Sequence, residues 1–174
     1  MDQKRIILLS FGLFGKEILD KLALAVGTEF RSEVLVKEIH FDLDQFYDTG
    51  RRQYNADKLL RVVASFENPH CDKVIGLFNI DLFIPILTFI FGQAQLGGNA
   101  AVASCYRLNN EYYGLKADAK ILLERFTKVL IHELGHANGL LHCHNPDCVM
   151  RSGTYVEDID QKERHLCANC RELL

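Results

Sequence analysis

Residues 132–150 read HELGHANGLLHCHNPDCVM and contain four histidines, two cysteines and one glutamate. His132 and His136 are four residues apart, so on a helix they lie one turn apart on the same face. Two imidazoles at this spacing can bind one metal ion. Glu133 lies on the flank of this helix nearer to its apolar side chains. From there it can reach a metal-bound water without being a ligand itself. The stretch therefore indicates a metal site on a helix that borders the core.

The residues after His136 supply a turn and a third histidine. Gly139 follows His136 by three residues, and His142 follows Gly139 by three. A helix cannot return a residue at that distance to the same metal, but glycine can adopt φ > 0 and reverse the chain. The alternative, an amphipathic helix that merely carries two histidines, does not explain this extended spacing. The pattern predicts a zinc ion bound by His132, His136 and His142, with one tetrahedral position open, as in catalytic sites.

Four of the six cysteines form two close pairs. Cys143 and Cys148 are spaced C-x4-C, and Cys167 and Cys170 are spaced C-x2-C. Four thiolates in two pairs are typical of a closed, structural zinc site. Ordinary thiols or a lone redox pair are the alternatives, but a redox pair is expected at a strand-to-helix junction rather than in a polar C-terminal tail. The sequence thus predicts two Zn²⁺ per chain, one catalytic and one structural that ties down the tail.

The other histidines and cysteines show no metal-binding spacing. His144 is interpreted as an exposed loop residue. The alternatives are that it contacts and supports a metal ligand, or that it is itself an alternative ligand. The histidines interpreted as structural or surface residues are His40, His70 and His165. Cys71 and Cys105 are interpreted as buried free thiols.

The chain upstream of residue 132 alternates between apolar runs and amphipathic stretches. The predicted elements are a strand over 5–11, a helix over 15–26 stopped by Gly27, a strand over 34–41, a helix from an Asn55 or Asp57 cap to about residue 66, a break at Asn68-Pro69, and a strand over 73–78. This order favours right-handed crossovers onto a largely parallel sheet covered by helices. Residues 83–106 predict one or two strands, at least one on an edge, with a turn at Gly97-Gly98. Asp118 is the predicted N-cap of a helix over 119–138.

Composition limits the class of protein. The chain has 174 residues and a formal charge of -3, without a basic tail, which suits one domain and argues against binding nucleic acid through phosphates. The apolar N-terminal run, too short for a signal peptide and without a cleavage site, is interpreted as a strand. The apolar run over 74–92 contains Asn79, Asp81 and Pro85, so buried strands are favoured over a membrane span. We expect a cytoplasmic protein whose cysteines are reduced.

The metal-binding motifs resemble those of the metzincin zinc peptidases, and the four-cysteine pattern narrows the resemblance to archaemetzincins. The motifs are HELGHANGLLHC, NPDCVM and CANC, within residues 132–170. The resemblance implies an α/β (α+β) zincin fold, with a mixed, mostly parallel twisted sheet, covering helices and an active-site helix. It divides this single domain into an upper part, 1–138, and a lower, zinc-stabilised part, 139–174, that begins at Gly139. It also implies that Met150 forms a tight turn beneath the catalytic metal, whereas Tyr155 falls later than the tyrosine of other metzincins and has no assigned role.

The implied activity is that of a zinc metallopeptidase in which a zinc-bound water attacks the peptide bond and Glu133 is the general base. A peptide or protein substrate would lie along an antiparallel edge strand, for which residues 91–104 are the candidate. We expect a monomer that binds neither nucleic acid nor a membrane. One alternative is a zinc-stabilised binding or regulatory protein whose peptidase site is inactive or blocked. Another is a nucleic-acid-binding zinc module. The nucleic-acid-binding module is less well supported, because acidic residues are interleaved with the basic residues of the tail, which are Arg151, Lys162, Arg164 and Arg171.

Overall fold

The structure, a computed structural model, describes residues 5–12, 14–66 and 71–174. Its strands are β1 (Arg5–Ser10), β2 (Glu33–Glu38), β3 (Tyr47–Asp48), β4 (Gln53–Asn55), β5 (Lys73–Phe78), β6 (Leu82–Ile84), β7 (Leu87–Ile90), β8 (Gly92–Ala94) and β9 (Ala100–Ser104). Its helices are α1 (Lys16–Phe30), α2 (Ala56–Ala64), α3 (Ala119–Ala137), α4 (Val156–Gln161) and α5 (Ala168–Glu172).

Five strands form the main sheet in the order β2-β1-β5-β9-β8. The first four are parallel, and β8 runs antiparallel to β9 at the edge. The prediction of a mixed, mostly parallel sheet is therefore confirmed. The central strands are nearly continuous apolar runs because both faces of the sheet are covered by helices.

The two faces of the main sheet support separate clusters of buried side chains. Along β1, Ile6 and Leu8 pack with residues of α1 and α3, whereas Ile7 and Leu9 pack with residues of α2. This division follows from the pleat, because successive side chains of a strand point to opposite faces. The sheet thus fixes α3, which carries His132 and His136 of the predicted metal ligands, on one face of the core.

A second sheet of four short strands, in the order β3-β4-β6-β7, was not predicted. The prediction of one or two strands over residues 83–106 was wrong, because this region holds β7, β8 and β9 and most of β6. Strands of two to four residues leave too little alternation in the sequence to be recognised. The turn at Gly97-Gly98 is present, with Gly97 at φ +65°.

The predicted stop of the first helix at Gly27 is also wrong. Helix α1 continues to Phe30 and ends at Arg31, which adopts the left-handed conformation at φ 50°. Gly27 instead allows a close crossing, because a Cβ at this position would lie 3.1 Å from the backbone oxygen of Ser32 and 3.3 Å from Cγ2 of Val34. The glycine is therefore explained by packing against β2 rather than by helix termination.

The other predicted elements of the core agree with the structure. Asn55 caps α2, its side-chain oxygen accepting from the amide of Lys58, and Asp118 caps α3. The predicted break at Asn68-Pro69 lies outside the described residues. Nowhere in the described ranges is there a helix of the length and apolar character that a bilayer crossing needs.

Candidate metal centres

A bend at Gly139 ends α3 and returns the chain beneath it. Gly139 has φ +95°, a conformation that favours glycine over residues with a Cβ. Its amide donates to the carbonyl of His136 at 2.9 Å, and the amide of Leu140 donates to the carbonyl of Gly135 at 3.0 Å. These two bonds satisfy carbonyls that a helix end would leave open. The reversed chain carries His142 back towards the helix.

The structure brings His132, His136 and His142 together, with ligand atoms within 4.8 Å of one another. The Nδ1 atoms of His132 and His136 donate to the carbonyls of Val149, at 2.8 Å, and of Leu140, at 2.7 Å. In the neutral rings, Nε2 then carries a lone pair.

The two Nε2 atoms of His132 and His136 lie 3.1 Å apart. Lone pairs at this distance repel unless a cation lies between them. Zinc with Zn–N bonds of about 2.0–2.1 Å holds its nitrogens roughly 3.3 Å apart. The donor set therefore fits a zinc ion, and the backbone carbonyls fix the ring orientation that such an ion requires.

Burial favours the neutral form of the imidazoles of His132 and His136, which are partly buried, and of the more exposed His142. It lowers the pKa of His132 well below its ordinary value and also lowers the pKa of His136 and of His142, and the charge of Lys162 acts in the same direction. A neutral imidazole is the form that binds a metal. The environment of the three rings thus favours ligation near neutral pH.

Glu133 lies beside the histidines and packs against the edge strand. Its side chain is buried, and a Cβ added to Gly92 would lie 2.6 Å from Cγ of Glu133 and 2.8 Å from its Oε1. Burial raises the pKa of Glu133 to about 8, and the nearby Lys162 opposes that rise. Gly92 was not predicted as a site residue, although a lone glycine in a strand pattern is a signal of close approach.

Lys162 lies next to the histidine site and was not predicted from the sequence either. Its ammonium donates to the carbonyls of Val149 and Arg151, both at 2.8 Å, so it binds the same Val149 carbonyl as His132. Burial lowers the pKa of Lys162 to about 8, partly offset by Glu133. A single lysine in a polar tail gives no sequence signal for this position.

Met150 lies in a tight turn against α3. It is fully buried, its carbonyl accepts from the amide of Cys143 at 3.0 Å, and the amide of Arg151 donates to the carbonyl of Cys148 at 2.9 Å. A Cβ at Gly135 would overlap the sulfur of Met150. The glycine between Glu133 and His136 therefore allows the thioether to pack directly under the helix.

Replacement of Gly135 by alanine is expected to lower the free energy of unfolding by about 1–3 kcal/mol, because the overlap with Met150 outweighs the better helix propensity of alanine. The double variant Gly135→Ala/Met150→Ala should lose less than the sum of the single losses, as measured by denaturant unfolding. Gly15→Ala is the control, because an added Cβ there meets no atom within 4 Å. Additive losses in the double variant would contradict the proposed contact.

The four paired cysteines form a second cluster, with sulfurs within 4.8 Å of one another. The Sγ atoms of Cys143 and Cys167 are 3.8 Å apart, as are those of Cys148 and Cys170. A tetrahedral zinc with Zn–S bonds of about 2.3 Å gives a sulfur–sulfur distance of about 3.8 Å, whereas a disulfide bond is far shorter. The cluster therefore fits a closed zinc site.

The cysteine cluster belongs to a small core that also joins the tail to α1. Its buried neighbours are Ile131, Leu140, Val149, Met150 and Leu166. Glu29 of α1, buried at 4 % exposure, accepts from Arg171 at 2.7 Å, from His165 at 2.8 Å and from the amide of Leu166 at 2.9 Å. The tail thus has an ionic anchor besides its thiols.

The remaining sequence candidates lie outside both clusters. His144 and His40 are exposed, and Tyr155 stands at the rim of the cleft with an exposed ring. Cys105 is buried and Cys71 is partly buried, both as free thiols. His70 lies outside the described residues.

A cleft of about 460 Å³ opens beside the histidines and Glu133. One wall is the stretch Leu87–Gly92, which comprises β7 and the start of β8, and the other holds His142, Gly153–Tyr155 and Ile159. The edge strand of the main sheet, β8, lies inside the predicted range of 91–104, whereas β9 within that range is a central strand. Most of this wall of the cleft belongs to β7, an edge strand of the second sheet, which the prediction did not include.

Comparison with known proteins agrees with this geometry. The model of peptidase family M54 matches residues 19–174. The archaemetzincin of Sulfolobus acidocaldarius is 40% identical over 144 residues, which cover 82% of this chain and 80% of that protein. The crystal structure of archaemetzincin from Methanopyrus kandleri superposes with a TM-score of 0.85 at 34% identity, covering 99% of this chain and 93% of that one.

A zinc-dependent peptidase from Methanocorpusculum labreanum has a similar structure, with a TM-score of 0.87 at 28% identity, covering 97% of this chain and 98% of that one. The matched range of the family model, residues 19–174, includes α3 and the C-terminal tail. The chain belongs to peptidase family M54, together with the archaemetzincins, and it is a zinc metallopeptidase.

Proposed function

We propose that the chain hydrolyses peptide bonds in an extended peptide that lies in the cleft. In this proposal His132, His136 and His142 hold a catalytic zinc, and Glu133 is the general base. The observation that carries it is the arrangement of two bare imidazole nitrogens 3.1 Å apart beside a buried carboxyl at an open cleft. A zinc ion bound there supplies Lewis-acid activation of water and of the scissile carbonyl.

Glu133 handles the protons of the reaction. As a carboxylate it accepts a proton from the attacking water, and as the acid it then gives that proton to the leaving amine. In the site without a metal, burial raises the pKa of Glu133 to about 8. A cation in the neighbouring site favours the carboxylate and so keeps the base available.

The edge of the sheet is the proposed peptide-binding strand. Residues 87–92 form one wall of the cleft, and β8 is the outermost strand of the main sheet. An extended peptide can pair with backbone groups of such an edge, while its side chains enter the cleft. We also propose that residues 1–138 form the upper side of the cleft and 139–174 the lower side, since lining residues come from both ranges.

A second zinc ion is proposed to bind Cys143, Cys148, Cys167 and Cys170. Thiols that act as metal ligands are typical of a reducing compartment, so we propose a cytoplasmic location. We also propose that the protein is a monomer. Zinc at this site would hold the lower wall, because Cys143 directly follows His142. Binding energy in small zinc domains is on the order of 10 kcal/mol, enough to order a segment with little core.

The alternatives are less well supported. In the described part of the chain no segment covers the histidines, which still line the cleft, so a blocked regulatory site has no structural counterpart. A basic stripe for nucleic acid is also weak. Lys162 is buried, Arg164 lies 3.7 Å from Glu124, and Arg171 is bound to Glu29.

Metal analysis combined with cleavage of a peptide library tests the proposal. The purified protein should contain two zinc ions per chain and cleave peptides without added cofactors. Two zinc ions without any zinc-dependent cleavage would favour the regulatory alternative.

Chelation should separate the two zinc ions. The three-nitrogen site should lose zinc first, because its open position admits the chelator, and peptide cleavage should then fall to background. One equivalent of added zinc should restore it, as followed by fluorogenic peptide hydrolysis and elemental analysis. Unchanged cleavage after removal of one zinc would contradict a catalytic role for that ion.

A further inference from the structure

Lys162 brings a buried positive charge to the cleft without a carboxylate to balance it. It is 5 % exposed and lines the cleft. Two of its three N–H groups donate to the carbonyls of Val149 and Arg151. Among the described residues it forms no ion pair, and Glu133 attracts it only at longer range.

The third N–H of Lys162 has no acceptor of its own in the part of the chain that the structure describes. Nδ1 of His132 lies 3.4 Å away, but that nitrogen donates its proton to Val149 and cannot accept another. The other groups that act on Lys162 electrostatically are the thiol of Cys148 and the cations Lys128 and Arg151. A buried charge is stable only when it is paired and hydrogen-bonded, so the site favours an added anion.

Lys128 is also buried and has no ion pair among the described residues, but it donates to the carbonyl of Ile159 and does not line the cleft. Two arginines on this side of the molecule have carboxylate partners. Arg125 of α3 is bidentate to Asp160, at 2.7 Å for both bonds, and Arg107 is bidentate to Asp81, at 2.6 and 2.7 Å. Neither residue lines the cleft. Among the described residues, Lys162 is therefore the buried cation that lines the cleft, and it has no carboxylate within ion-pair distance.

The walls of the cleft near Lys162 suit a short apolar stem. Val129 and Ile159 are buried side chains that line the same cleft. A residue with a hydrocarbon stem and a terminal carboxylate matches this combination of apolar walls and a cation. Because the ammonium lies 3.4 Å from Nδ1 of His132, a ring whose Nε2 faces the proposed zinc, we expect the carboxylate to belong to a residue close to the scissile bond.

We propose that Lys162 is a specificity-determining residue, which selects peptides that present a carboxylate directly beside the scissile bond. This inference rests on the proposed peptidase function. The carboxylate belongs either to an aspartate or glutamate side chain or to the free C-terminus of the substrate. Both sources present the same chemical group. They differ in one respect: cleavage that depends on the C-terminal carboxylate requires a free C-terminus, whereas cleavage that depends on a side chain does not.

Matched peptides on the zinc-loaded protein test the proposal. One set places glutamate, glutamine or leucine at each position flanking the scissile bond, with both ends blocked. A second set compares free and amidated C-termini. We expect kcat/KM to favour the carboxylate-bearing member by at least about tenfold. Preference for glutamate identifies a side-chain carboxylate, and preference for the free end identifies the C-terminus.

The variant Lys162→Met should reduce the preference ratio to about one. A ratio is compared within one protein, so a general loss of activity or stability cancels. Lys128→Met is the matched control, because Lys128 is also buried and donates to the carbonyl of Ile159 but does not line the cleft. It should keep the ratio of the wild type.

Binding gives a readout that does not require turnover. Affinities of the same peptides for the zinc-loaded Glu133→Gln variant, measured by fluorescence anisotropy, should show the same preference for a carboxylate. Peptide cleavage by the wild type without any carboxylate preference overturns this inference but not the peptidase function. A preference that survives in Lys162→Met also overturns it, whereas the absence of all zinc-dependent cleavage overturns both.

Discussion

Replacement of Glu133 by glutamine is expected to lower kcat by about 10²–10⁴-fold, while both zinc ions stay bound. Glutamine fills the same space against Gly92 but cannot accept a proton from the attacking water. None of the proposed ligands is changed, so the metal content should match that of the wild type. Steady-state hydrolysis of a fluorogenic peptide and elemental analysis on the same preparation measure both quantities.

Glu124→Gln is the control for this variant. Glu124 lies on the same helix, with its side chain 44% exposed and 3.7 Å from Arg164, away from the cleft. Its removal should change kcat by less than about twofold, since exposed ion pairs contribute little. If Glu133→Gln cleaves peptides as fast as Glu124→Gln, Glu133 is not the general base, and another group must accept the proton.

The grouping of the three histidines could be predicted from the sequence because they are close in the chain. Helical periodicity relates His132 to His136, and the conformational freedom of glycine relates both to His142. The structure agrees with each step, with Gly139 at φ +95° and the three rings together. The two pairs of cysteines are predictable for the same reason, since the short spacing within each pair is a local property.

Residues that depend on distant contacts could not be predicted in this way. Gly92 contacts Glu133 across the edge of the sheet, and Lys162 reaches the turn beneath His132 from the tail. Glu29 binds the tail from a position 137 residues away from Leu166. No period or spacing encodes such contacts, which arise only when the sheet and α3 bring the segments together.

The same limit explains the errors in the fold. Gly27 was interpreted through its local propensity, but its environment is set by the backbone oxygen of Ser32 and the side chain of Val34 in β2, which leave little room for a Cβ. The four-stranded second sheet was missed because it joins short segments from residues 47 to 90. Local signals identified the long elements, and tertiary packing determined the short ones.

Replacement of Cys170 by serine is expected to remove one of the two zinc ions and to lower the melting temperature by about 10 °C or more. A hydroxyl is a poor substitute for a thiolate ligand, and the tail has only a small core to hold it without the metal. Peptide cleavage should fall as well, because Cys143 and His142 are adjacent and the lower wall of the cleft loses its support. Differential scanning calorimetry, elemental analysis and hydrolysis follow the three effects.

Cys105→Ser separates loss of zinc from the cost of burying a hydroxyl. Cys105 and Cys170 are similarly buried, at 5 % and 6 % exposure, but Cys105 lies outside both clusters. Its replacement should cost about 1–3 kcal/mol, leave two zinc ions per chain and preserve cleavage. If Cys170→Ser also keeps both zinc ions and has the same melting temperature as Cys105→Ser, the four thiols do not hold a structural zinc. The buried polar contacts would then be what holds the tail: Glu29 of α1 with His165, Leu166 and Arg171, and Arg125 of α3 with Asp160.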